Sequence, residues 1–338
     1  MASLKTLTIG FIAFMMTLTL YYKSQLPMQC FEADIPLFFS IDDYECQPSK
    51  EIVVDDCFRQ AGSYHDQKCL NTTKNDTQWA GSPFVEEFTY TVEPSCSDYD
   101  ERYLIVYIYT QVYHFKQRQK LRLKYKDHLK EKLCSLVKIL FVIGETDKSA
   151  KNQCYSRYED ILNIETNLYK DILRINIIDS YYNLAYKGLG AIHWISKKCK
   201  LKTPFVLKMD DDIDLNLNKL LNTMQTMDCR YRNYEICLVI NPKNINGVVR
   251  VFWHKFNTKL SEYKDKEYPS TCVGHAVLMT RLAAENMYTI AKNNSLPVYK
   301  VDDVYFGAFL RRRSCLRLGL LSETESNYAI VDDDYKEW

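Results

Sequence analysis

The sequence predicts an α/β fold whose mostly parallel central sheet is flanked by helices. Three features carry the prediction. Short apolar runs rich in β-branched and aromatic residues have strand length. Charged stretches of helical length lie between them. The two alternate regularly from about residue 102 onward.

Tyr103 to Tyr109 (YLIVYIY) reads as a strand, and His114 to Cys134 as a charged helix. Val137 to Ile143 is a second strand, closed by Gly144. Ser156 to Asn167 is expected to be helical, Asp171 to Ile175 a strand, and Asn183 to Lys198 a helix. The run after Pro204 is a further strand. Beyond it, Ile236 to Ile240, Val248 to Trp253 and Cys272 to Met279 have strand character, and Arg281 to Lys292 and Val304 to Arg312 helical character. No internal repeat or low-complexity tract interrupts the pattern.

The N-terminal part is different. Leu7 to Tyr22 is apolar between Lys5 and Lys23, and the 17 residues from Thr6 to Tyr22 reach the lower limit for a membrane span. No A-x-A-like site follows, which favours an uncleaved anchor over a cleaved signal peptide. The expected organisation is a tail at 1–6, a transmembrane anchor at 7–22, a lumenal stem at 23–101 and one catalytic domain at 102–338. The sequons at Asn71, Asn75 and Asn293 all lie C-terminal to the span. Together with 12 cysteines lacking C-x-x-C spacing, they point to an oxidising lumen and a type II topology rather than to a zinc site. Five of the cysteines fall before residue 102 and seven after it, so complete intrachain pairing requires at least one bridge between the two regions. A net charge of +1 provides no global basic field for nucleic acid.

The chemistry concentrates in two acidic motifs. Pro204-Phe-Val-Leu-Lys-Met-Asp210-Asp211-Asp212 places three carboxylates at the tip of an apolar strand, the edge of an α/β sheet where ligands bind. Alternation along the chain aims Asp210 and Asp212 the same way. Such crowding calls for a compensating cation, and hard Mg²⁺ or Mn²⁺ bridging to substrate phosphates fits oxygen ligands. A solvated acidic loop is the plain alternative. Asp332 to Asp334, in a polar tail after Asn327 with no strand before it, is read that way. The second motif is Val301-Asp302-Asp303-Val304-Tyr305-Phe306-Gly307, before an expected helix. Either Asp could cap that helix, but two adjacent acids in an apolar frame exceed what capping requires. A general base for a sugar hydroxyl needs such a carboxylate. In the loop Glu267 to Ala276, His275 is open as a structural hydrogen-bonder, a metal ligand or a base.

The order of these pieces resembles the β1,3-galactosyltransferase and β1,3-N-acetylglucosaminyltransferase family, distantly related to the fringe enzymes. The matching elements are Arg118-Gln-Lys-Leu-Arg122, Phe141-Val-Ile-Gly144, Glu165 to Leu173, Asp179-Ser-Tyr-Tyr-Asn183-Leu-Ala-Tyr-Lys187, and Lys208 to Asp212. Val249-Arg250 with Lys255-Phe256, Tyr268-Pro-Ser-Thr-Cys272-Val-Gly274 and Asp302-Asp-Val-Tyr-Phe-Gly307 complete the set. Trp194 and Cys199 fall at the expected places. The resemblance covers about Tyr103 to Gly319. Four places depart from the family pattern: Lys124-Tyr125, Ala185, Thr271 and Ala276-Val277.

The resemblance implies a GT-A-type glycosyltransferase fold. It also implies inverting, metal-dependent transfer of galactose or N-acetylglucosamine from a UDP-sugar to a glycan acceptor, at the Golgi membrane. It implies Mn²⁺ on Asp212 with Asp210, Asp210 and Asp211 orienting metal or nucleotide, Arg118 and Lys187 near the nucleotide, Asp303 as base and Asp302 as its fallback. A lumenal pseudoenzyme or glycan-binding protein is the competing reading. A Ca²⁺-binding structural protein is disfavoured by the lack of EF-hand spacing.

Overall fold

The computed structural model describes Phe58 and residues 79–85, 87–128, 136–147, 155–238, 248, 256–272, 275–323, 325 and 327–332. The candidate anchor, two of the three sequons and all but the first residue of the expected Val248 to Trp253 strand lie outside these residues. Among the described residues no helix is long and apolar enough to cross a membrane.

One sheet organises the described residues. Its strands are β1 (Tyr90–Val92), β2 (Leu104–Tyr109), β3 (Val137–Glu145), β4 (Ile172–Ile178), β5 (Phe205–Asp210), β6 (Tyr234–Leu238), β7 (Ala276–Thr280), β8 (Arg317–Glu323) and β9 (Tyr328–Asp332). Their spatial order is β1-β4-β3-β2-β5-β7-β6-β8-β9. The block β4-β3-β2-β5 is parallel, as expected. β1, β7 and β9 run against it, so the whole sheet is mixed. Strand β2 is buried at every residue, which explains why it reads as a continuous apolar run.

Helices cover both faces. Helices α1 (Phe115–His128), α2 (Tyr155–Tyr169) and α4 (Leu217–Gln225) pack on the face that carries Leu104, Val106, Ile108, Leu207 and Met209. Helices α3 (Leu184–His193) and α5 (Arg281–Asn293) pack on the other face, over Tyr107, Tyr109 and Val206. Beside them, α6 is three helical segments in direct succession: Asp302–Val304, a π-helical Tyr305–Leu310, and Arg311–Arg313. A π-helical stretch, Trp194–Lys198, also extends α3. Apolar spacing explains α4: Leu217, Leu220, Leu221 and Met224 share one buried face, and Asn216 caps its start by accepting from Lys219 N.

The segment before residue 102 is tied to this body. β1 adds to β4, Trp79 stacks on Phe309 at 4.4 Å, and the fully buried Tyr99 meets Trp194 edge-on. A Cys96–Cys199 disulfide joins the two regions, as the cysteine count requires. Cys237–Cys272 holds the Tyr268 loop against β6. At the other end, β9 includes Asp332, paired with Gly319 of β8. The acidic triplet read as a free tail therefore begins within a strand, although its Tyr-Ala-Ile-Val lead-in is short.

Candidate active site

The parallel block brings the C-terminal ends of β2, β3 and β5 to one edge, and an open cavity of about 280 Å³ lies there. Its walls include Asp210, Asp211 and Asp212 on one side and Asp302 and Asp303 on another. The two acidic motifs, about 90 residues apart in sequence, thus share one site.

Lys208 stands between them. It precedes Asp210 by two residues on β5 and shares its face. Its ammonium is buried, 2.8 Å from Asp210 Oδ1, 3.7 Å from Asp302 Oδ2, and 4.6 Å from the centroid of the Tyr109 ring. Burial works against its charge, but Asp302, Asp210 and Asp303 outweigh it and hold the lysine above its ordinary pKa. Asp210 is pulled the other way. Burial would raise it, yet Lys208 and His275 keep its carboxyl below the usual range. His275 Nδ1 lies 3.8 Å from Asp210 Oδ2, and that carboxylate pushes the imidazole up against the effect of burial. Asp211 pairs with His114 Nδ1 at 2.7 Å. Asp212 is exposed at the mouth of the cavity.

The opposite wall is the start of α6. Val301 occupies the N-cap position, so Asp302 and Asp303 are helical residues and neither serves as the cap. Asp302 is buried, and desolvation raises its pKa despite Lys208. Asp303 is half-buried, and its backbone carbonyl accepts from Thr271 Oγ1 at 2.6 Å. Gly307, one turn on, is needed for this approach: a Cβ there would lie 2.7 Å from the Cys272 backbone nitrogen.

Asp179 and Lys187 close the third side. Asp179 Oδ2 accepts from Val112 N and Gly144 N at 3.2 Å each, knitting the ends of β2 and β3. Its Oδ1 holds Lys187 Nζ at 2.6 Å, and Lys187 also donates to Thr110 O at 2.8 Å. Lys187 therefore lines the cavity with its charge already engaged. Arg118 lies behind the wall and outside the lining. It is fully buried, forks onto both oxygens of Glu165 at 2.9 and 2.7 Å, and donates to Gln111 O and Val112 O. Arg122 completes that network through Glu165 and Asp171. Arg118 thereby holds the Gln111–Val112 segment beside the cavity, and Arg122 supports it through Glu165.

Four residues of the site escape the motif reading as functional groups: His114, Asp179, Tyr181 and Glu235. Asp179 and Tyr181 stood in a quoted motif without a role. Glu235 left one signal, a lone carboxylate inside the apolar run of β6.

The sequence pattern that defines the galactosyltransferase family matches residues 116–315, which span both acidic motifs. The chain belongs to the galactosyltransferase family. It is 28% identical over 221 residues to β-1,3-galactosyltransferase 1 of Mus musculus and of Homo sapiens, covering 65% of this chain and 63% of each relative. It is 27% identical over 176 residues to β-1,3-galactosyltransferase 5 of Homo sapiens, covering 52% of either chain. The chain thus spans less than two thirds of the length of these relatives. The mixed α/β sheet with helices on both faces fits a glycosyltransferase.

Proposed function

We propose that this galactosyltransferase-family chain is an inverting hexosyltransferase that moves a sugar from a UDP-sugar to a glycan hydroxyl in β1,3 linkage. Facing acidic walls around one cavity support the reading: Asp210–Asp212 on the donor side and Asp303 on the acceptor side. The relatives' names favour UDP-galactose over UDP-N-acetylglucosamine.

The carboxylates fit a divalent cation as a partial anchor. Asp212 is exposed and Asp210 is adjacent, but Lys208 and His275 engage Asp210. Among the described residues no group of three or more His, Cys, Asp or Glu could hold a metal, so diphosphate oxygens would complete the shell. Asp212 with Asp210 would hold Mn²⁺, which when bound supplies charge neutralisation to a departing diphosphate. His114 fixes Asp211 as a rigid, hydrogen-bonded wall. Asp303 takes the proton of the acceptor hydroxyl as its oxygen bonds to the anomeric carbon and the bond to UDP breaks. Asp302, locked beside Lys208, keeps that ammonium under the cavity.

The apolar run at Leu7–Tyr22, the sequons and the disulfides support a type II protein of the Golgi lumen.

The test is UDP release by the full-length, detergent-solubilised chain with Mn²⁺ and each UDP-sugar, with and without simple glycoside acceptors. Release from one donor, lost with chelator and in Asp212→Ala and Asp303→Asn, is the expected result. Glycan binding with no release from any donor would replace the enzyme reading with a binding protein. Near-normal turnover of folded Asp303→Asn would remove the base assignment.

A further inference from the structure

Behind Asp303 lies a second, much smaller cavity of about 20 Å³, room for a single water. Tyr107, Tyr109, Lys208, Asp302, Asp303 and Glu235 line it. Glu235 is on β6, opposite Met279 of β7, and its side chain projects to the same sheet face as Lys208 and the two tyrosines. It is 1% exposed, and its Oε2 has no hydrogen-bond partner. A buried carboxylate oxygen left without a partner costs stability. Packing therefore does not account for a glutamate at this position. An apolar residue would serve the β-sheet core better.

We propose that Glu235 is a positioning residue for the transfer reaction. Its carboxylate, reaching Asp303 through the one-water cavity, raises the basicity of Asp303 and receives the proton that Asp303 takes from the acceptor hydroxyl. The inference rests on Asp303 as the base. In balance, the acceptor oxygen bonds to the anomeric carbon and the sugar–diphosphate bond breaks with its electron pair on UDP. The hydroxyl proton goes to Asp303, then through the water to Glu235, and is released to solvent before the next turnover.

The surroundings suit this role. Burial pushes the Glu235 carboxyl up to about 7, with Arg311 opposing and Asp303 adding to the rise. Two carboxylates that repel each other share one proton more readily than either alone. The charged and titratable groups facing Glu235 are Tyr107 and Tyr109 from β2, Lys208 from β5, and Asp302, Asp303 and Arg311 from α6. β7 presents only Val277 and Met279. The tyrosines are held neutral by burial, and Lys208 is held charged by its carboxylate neighbours. Across neutral pH, the charge of Glu235 changes.

The test compares the full-length wild type with Glu235→Gln and Asp303→Asn, measuring kcat and donor KM between about pH 5.5 and about pH 8. Glu235→Gln removes the charge while preserving the shape. It is expected to leave donor KM unchanged and, by removing a buried charge, not to lower the melting temperature. Its kcat is expected to match the wild type within about twofold at about pH 5.5, where Glu235 is neutral in both, and to fall about tenfold below it at about pH 8. A wild-type to variant ratio that is flat across this range, with Asp303→Asn inactive, would overturn the role of Glu235 and leave the base intact. Active Asp303→Asn would overturn the base itself. If Glu235→Gln fails to fold, Glu235→Asp is the second variant. Restored pH dependence with reduced kcat supports the proposal, and wild-type kcat at every pH refutes it.

Discussion

Replacing Lys208 by methionine isolates the interaction that joins the two acidic motifs. The side chains are similar in volume, so the change is mainly loss of charge. At 2.8 Å from Asp210 and 3.7 Å from Asp302, with an effective dielectric near 20, the two attractions are about 6 and about 4.5 kcal/mol. Desolvation of the ammonium offsets several kcal/mol of that, and Asp210 is one third exposed, so its share is further screened. Removing one partner of a buried pair costs about 3–5 kcal/mol, and the lower end applies here. For a domain of this size that is a fall in Tm of about 6–12 °C at neutral pH. The pH dependence is the sharper readout. Without Lys208, Asp302 is held even further above its unfolded pKa. Such an acid binds its proton more tightly when folded, so it costs nothing at low pH, progressively more as pH rises from its unfolded pKa of about 3.9 towards its folded pKa, and a constant amount above that. Lys208 itself, with a raised pKa, contributes fully below the unfolded lysine value of about 10.4 and so adds no slope between about pH 4 and 8. The Tm gap between wild type and Lys208→Met should therefore widen from about pH 4 to about pH 8 in thermal scans by circular dichroism. A Tm gap below about 2 °C, or one constant across that range, would refute the reasoning.

Three further perturbations bear on the site's frame. Gly307→Ala brings a Cβ to 2.6 Å from Thr271 Oγ1 and 2.7 Å from the Cys272 nitrogen. The hydroxyl can rotate but the disulfide-held backbone cannot, so a loss of about 1–3 kcal/mol in chemical denaturation is expected, with reduced kcat as Asp303 shifts. Arg118→Met strips Glu165 of one of its two arginines and leaves the Gln111 and Val112 carbonyls without that donor. It should destabilise by about 3–5 kcal/mol with donor KM unchanged in the folded fraction; a stable variant that has lost UDP binding would instead restore a nucleotide role for Arg118. Cys96→Ser with Cys199→Ser opens a loop spanning 103 residues and should cost about 2–5 kcal/mol, read as a lower urea midpoint in the absence of reductant.

Legibility followed burial. Strands β2, β3 and β5 carry apolar side chains to both faces and appear in the sequence as near-continuous apolar runs, broken only by Lys138 in β3 and Lys208 in β5. β1 has three residues, and β8 carries Gly319 and polar ends, so neither exceeds local background. α4 hides because Asn alternates with Leu at its start, which masks the 3.6-residue spacing of its buried face. The acidic motifs were legible because carboxylates crowded beside apolar strands demand an explanation. Asp179 and Glu235 were not, since each gains its role from residues far away in sequence: Val112 and Gly144 for one, Asp303 and Lys208 for the other. Arg118 matched a family motif but lies behind the cavity, because a repeated arginine on one helix face can satisfy a buried glutamate as well as a nucleotide.

The departures from the family pattern separate in space, and that separation says what they alter. Lys124 pairs with Asp214, and the buried Tyr125 donates to the Met209 sulfur on the sheet face that holds α1, away from the cavity. Ala185 is fully buried in α3. These three adjust packing. Thr271 is different, because its hydroxyl holds the backbone carbonyl of Asp303. A tyrosine at that position would carry its hydroxyl several ångströms further from the chain and could not make this bond from the same backbone. Where the family pattern has a tyrosine, this chain carries a short side chain that anchors the candidate base. On the proposed reading the consequence falls on how the candidate base is held, since Thr271 touches Asp303 without lining the cavity. Thr271→Tyr removes that bond and should therefore lower kcat while leaving KM for the UDP-sugar unchanged, and an unchanged kcat would show that Thr271 does not position Asp303.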